Sequence, residues 1–159
     1  MSHNQPSVKT ILILAANPTS TSRLRLDEEV REIAEGLRRA DKREQFKLEQ
    51  SWAVRLRDFY RAILDYQPQF VHFCGHGTEE DGIVLEDEMG HPVLVKSDVL
   101  ASMFKLFAAK GVKCVLLNAC YSEVQAQPGF LTKLEEIGVK NCQNLYCTKI
   151  TAALLYDPK

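Results

Sequence analysis

Three dense apolar runs divide the chain: residues 9–16 (KTILILAA), 70–74 (FVHFC) and 112–119 (VKCVLLNA). Their lack of alternation marks strands covered on both faces. A fourth segment, residues 46–52 (FKLEQSW), alternates like a strand with one wet side. Between these runs the period changes to that of a helix. Leu26, Val30, Ile33 and Leu37 form one stripe, with Asp27, Glu28 and Glu29 favouring a helix N-terminus. Leu56, Phe59, Tyr60, Ile63 and Leu64 form a second stripe, closed by Pro68, and Val99, Leu100, Met103, Phe104 and Phe107 a third. Ser97 is placed as the N-cap of that third helix and Gly111 as its end. The run GIVLEDEMGHPVLV reads as a hairpin around Glu88–His91. This order predicts an α/β fold: a mostly parallel sheet with helices on both faces and a small β-hairpin after the third strand. Beyond Pro128 and Gly129 the pattern blurs, with FLTKLEEIG read as a short helix, NLYCTKI as a fifth strand and TAALLYDPK left unassigned.

A length of 159 residues suits one domain, taken as 9–159, with residues 1–8 a flexible N-terminus. Hydrophobic residues make up 45% and charged residues 26%, an ordinary globular balance. The formal net charge of −1 supplies no bulk attraction for nucleic acid or an anionic membrane. No apolar run approaches a membrane span, and residues 1–8 lack a signal pattern, so the expected location is cytoplasmic. The five cysteines (74, 114, 120, 142 and 147) are odd in number and irregularly spaced, which argues against a disulfide framework. No Cys-x-x-Cys pair occurs, so neither a metal nor a cofactor is expected.

Candidate chemistry sits where two apolar runs stop. One ends at Gly75-His76-Gly77, the other at Asn118-Ala119-Cys120. In open α/β sheets ligands collect at the carboxyl ends of the strands. Glycines beside His76 let a substrate backbone approach closely. A cysteine attacks as its thiolate, which a neighbouring imidazole generates. The backbone N–H groups of Gly77 and Cys120 are candidate oxyanion donors. Read alone, each residue has an ordinary structural alternative: a hydrogen-bonded strand-end histidine, or a packed thiol. His72 reads as core or surface, and His91 as an exposed turn residue. A phosphate-binding reading of residues 17–22 fails, because that loop has neither glycine nor a Lys-[Ser/Thr] pair.

The segments FVHFCGHG, GIVLED and VLLNACYSEVQA, in that order, resemble the CHAT family of caspase-like cysteine peptidases. The opening KTILILAANPTSTSRLRLDEEVREI is similar to the start of many bacterial domains of this kind. The resemblance runs from residue 9 to about 126, and after that the chain is shorter than, or divergent from, the family pattern. It implies a caspase-hemoglobinase fold, a His76–Cys120 dyad and an oxyanion hole that includes Gly77. It further implies a cysteine endopeptidase cleaving a protein or peptide substrate in a bacterial signalling or defence pathway. Arg23 and Arg25, between the first strand and the first helix, are the expected substrate-binding residues. The short C-terminal part suggests a latent enzyme whose cleft is completed by an activating protein partner or by homo-oligomerisation. The alternative is a non-catalytic interaction module that retains the dyad.

Overall fold

The computed structural model describes residues 7–78, 82–119 and 140–141, and the runs predicted within them become elements. In chain order these are β1 (Lys9–Ala15), α1 (Leu26–Arg39), a 3-10 turn (Arg43–Gln45), β2 (Phe46–Trp52), α2 (Leu56–Tyr66) and β3 (Phe70–Thr78). There follow β4 (Gly82–Glu86), β5 (Pro92–Lys96), α3 (Ser97–Ala109), β6 (Cys114–Ala119) and β7 (Lys140–Asn141). Ser97 is the first residue of α3; Lys96 holds the cap position, without a side-chain hydrogen bond. The readings of 130–138 as helix, 144–150 as strand and the tail lie outside the described residues.

The sheet is mixed. β2, β1, β3, β6 and β7 pair in parallel, in that spatial order. The hairpin is not an appendage to this sheet. β3 continues past Gly75, and its last residues pair antiparallel with β4, which pairs antiparallel with β5. β3 therefore meets β1 and β6 along Phe70–Gly75 and β4 along His76–Thr78. The expectation of a mostly parallel sheet is corrected to this extent: the hairpin's backbone groups find their partners on β3, so two antiparallel ladders join the sheet.

Strand alternation sends neighbouring residues to opposite faces, and with both faces covered β1 is apolar from Ile11 to Ala15. Leu12 and Leu14 of β1, with Val71 and Phe73 of β3, pack under α2 and α3. Aromatic rings fill this layer: Phe59 lies against Phe107 at 5.7 Å between centroids and against Phe73 at 6.3 Å. Ile13 and Ala15, with Cys74 and Leu116, pack under Leu26, Val30 and Ile33 of α1. Helices thus cover both faces.

On the α1 face the packing also has a polar component. Glu29 points inward with the apolar stripe, and its Oε1 accepts hydrogen bonds from His72 Nε2 and Asn118 Nδ2, each at 2.7 Å. Burial pushes the Glu29 carboxyl up. Hydrogen bonds from His72, Asn118 and the Cys74 thiol outweigh it, and the carboxyl is held below its ordinary value. One carboxylate on α1 thereby grips both β3 and β6.

Gly75 marks another tight contact. A Cβ there would lie 2.8 Å from the Phe73 ring and 2.9 Å from the Ala16 carbonyl oxygen. Phe73 is fully buried and Ala16 is backbone, so neither can give way.

Two outcomes follow for stability. Gly75→Ala should lower unfolding free energy by about 1–3 kcal/mol through overpacking, read as a drop in the urea midpoint; an unchanged midpoint would refute the contact. For Glu29, a depressed folded pKa means a contribution fully present above the unfolded value of about 4.3 and lost as pH falls through the lower folded value. Glu29→Gln should therefore cost about 1–2 kcal/mol at neutral pH, and the gap to wild type should close in acid. A gap that stays constant across a pH series of urea titrations would rule out the ionised carboxylate as its source.

Candidate functional site

The carboxyl ends of β1, β3 and β6 are brought level by their register. Ala15 pairs with Cys74, Cys74 with Asn118, and Gly75 with Ala119. His76 follows directly on β3. Its side chain is 8% exposed, and its main chain lies opposite Val84 of β4. Gly77 is next in the same ladder, opposite Ile83. Cys120 lies outside the described residues.

The loop between β1 and α1 wraps this end of the sheet and is pinned at several points. Ala16 N–H donates to the Cys74 carbonyl at 3.1 Å, and Asn17 N–H donates to Glu86 Oε1 at 3.0 Å. The Asn17 side chain spans the loop, donating to the Leu24 carbonyl at 3.1 Å and accepting from Leu24 N–H at 3.3 Å. Thr19 N–H reaches the Gly90 carbonyl in the hairpin turn at 3.0 Å. Glu86 N–H also donates to the Val54 carbonyl, linking the same block to the segment before α2.

Within this frame Thr21 meets His76, with Oγ1 3.0 Å from Nε2. The Thr21 hydroxyl donates its one proton to the Pro18 carbonyl at 2.7 Å. Toward the imidazole it is then an acceptor, so Nε2 carries the ring proton and Nδ1 keeps the lone pair. The β1–α1 loop thus fixes the tautomer that leaves His76 a base at Nδ1.

The other expected residues fall as follows. Arg23 is exposed in the same loop. Arg25 caps α1, pairs with Glu28, and its side chain is 77% exposed. His91 is exposed and hydrogen-bonded to Asp87 at 3.3 Å. Hydrogen bonds from the His91 and Met89 main chain overcome slight burial and hold the Asp87 carboxyl low. His72 is buried, on Glu29.

Two functional candidates escaped the sequence reading. Thr21 read as one turn former among several. Glu29 read as one of three acids at a helix start. The signal for Glu29 was its place three residues after Leu26 and four before Ile33, inside the apolar stripe. His72 and Cys74, two apart on a strand, share the face it meets.

Which residues could hold a metal is answered by the same face: Glu29, His72 and Cys74 present ligand atoms within 4.8 Å of one another. Among the described residues, no helix is long and apolar enough to cross a membrane.

The chain is 29% identical over 123 residues to a protein of Gillisia limnaea named "Probable protease", an alignment covering 76% of this chain and 22% of that protein. The chain therefore spans about a fifth of that relative's length. Residues 2–140 match the CHAT domain. With most of its length in that match, the chain belongs to the CHAT family of caspase-like peptidases.

Proposed function

We propose that this chain is a cysteine endopeptidase in which His76 and Cys120 form the catalytic dyad. The observation that carries this reading is the β3–β6 register. Its final pair is Gly75 with Ala119; His76 is the next residue along β3, and Cys120 follows Ala119 in the sequence.

The chemistry then runs in two steps. His76 Nδ1 takes the thiol proton, and the thiolate adds to the scissile carbonyl carbon. The N–H groups of Gly77 and Cys120 stabilise the oxyanion. The imidazolium returns the proton to the leaving amine, the carbon–nitrogen bond breaks, and a thioester remains. Water, deprotonated by the same nitrogen, hydrolyses the thioester and frees the thiol. Arg23 and Arg25 lie in the loop that holds Thr21, close enough in sequence to line a substrate pocket for an acidic residue. The substrate is a protein or peptide. We further propose a cytoplasmic role in bacterial signalling or defence. There a partner or a second copy completes the cleft, so turnover by the isolated chain is weak.

Cys120→Ala should abolish peptide cleavage and labelling by a thiol-directed activity probe, while Cys114→Ala, at the far end of β6, should retain both. Labelling at Cys120 without cleavage of any library peptide, even with candidate partners added, would favour the non-catalytic module. Equal loss in both variants would end the dyad assignment. Thr21→Val, which removes the acceptor at Nε2, should lower kcat by about 10- to 100-fold with little change in KM, and Thr21→Ser should restore it. Imidazole nitrogen shifts of His76 should show the Nε2–H tautomer in the wild type and a mixture in Thr21→Val; identical spectra would remove Thr21 from this role.

A further inference from the structure

We infer that Glu29, His72 and Cys74 form a binding site for one zinc-class divalent cation, held between α1 and the sheet. This site is separate from His76 and does not depend on the peptidase reading. Its ligand atoms are a carboxylate oxygen, an imidazole nitrogen and a sulfur, all within 4.8 Å of one another. That mixed N/O/S set is the one zinc takes, and three protein ligands leave a fourth position open.

The three groups are now held together by protons. His72 Nε2 donates to Glu29 Oε1 at 2.7 Å, and the Cys74 thiol also bonds to Glu29. A thiol is a weak hydrogen-bond donor, so as a purely structural partner for the carboxylate it adds little. As a metal ligand it adds a great deal.

The exchange balances. Glu29 enters the site as its carboxylate. The thiol proton leaves to solvent, and the imidazole proton passes from Nε2 to Nδ1, which has no hydrogen-bond partner now. One thiolate, one carboxylate and one divalent cation sum to zero, the charge a buried site tolerates best.

Bonds of about 2.0–2.3 Å place tetrahedral ligand atoms about 3.2–3.7 Å apart, so the 2.7 Å contact between Glu29 and His72 must open by about half an ångström, and a pair at the 4.8 Å limit must close by about an ångström. Glu29 is the outermost of the three, with its side chain 15% exposed against 4% for His72. It is therefore the one free to move and the side from which an ion enters. Asn118, exposed and already on Glu29, offers its amide oxygen to the fourth position after a ring-free rotation of the side chain; otherwise water fills it.

The test uses Cys120→Ala protein as the parent, so that the proposed nucleophile gives no signal. Titration with Co2+ or Cd2+ should show saturable binding of one equivalent, a sulfur-to-metal charge-transfer band and release of one proton. Cys74→Ser should abolish the band, and Glu29→Gln or His72→Gln should weaken binding by about tenfold or more. A band that survives in Cys74→Ser, or no saturable binding at submillimolar metal, overturns the site. Should Cys74→Ser fail to fold, X-ray absorption on the Zn2+-loaded parent decides: one sulfur with nitrogen and oxygen supports the site, and no sulfur or two sulfurs overturns it.

Discussion

The parallel pairing of β3 with both β1 and β6 is the constraint on which everything else rests. β3 pairs with three strands, β1, β4 and β6, and its parallel register with two of them brings three strand ends to one level. Because both faces of those strands are covered, a slip of one residue would turn an entire apolar row to the wrong helix. The ring layer under α2 and α3 and the aliphatic layer under α1 therefore lock the register from opposite sides. Side chains at the carboxyl edge inherit their placement from this packing.

At Gly75 the strand passes from one environment to another. Before it, β3 is an inner parallel strand; after it, the same backbone becomes one side of an antiparallel ladder. The close approach to Ala16 leaves no room for a side chain there. The glycine beside the histidine thus has a packing reason in addition to the substrate access expected of it. His76 then emerges with its main chain tied to β4 and its ring tied to Thr21, so strand and loop determine its orientation together.

The apolar periods were enough to read the elements, because two-sided burial writes itself into the sequence as unbroken runs and helices as spaced stripes. The apolar run ended at Cys74, so His76 and Gly77 read as lying just past the strand, whereas β3 continues through both to Thr78. What sequence did not disclose were contacts between distant residues. Thr21 and His76 are separated by 55 residues, and Glu29 and Asn118 by 89. Nothing local distinguishes a threonine in a turn from one that fixes a tautomer, or an acid that serves a helix dipole from one that grips two strands. The hairpin was legible as a hairpin, while its membership in the sheet depended on partners far along the chain.

Glu86 carries a consequence for how the site meets a ligand. Its main chain holds the segment before α2, its carboxylate holds the β1–α1 loop, and the hairpin turn that follows holds Thr19. Three connections at one edge of the sheet are thereby joined into a single braced surface. A molecule docking there would find the loops already arranged, and little conformational entropy would remain to be lost on association. Recognition at such an edge favours ligands that match a standing shape over those that must mould it.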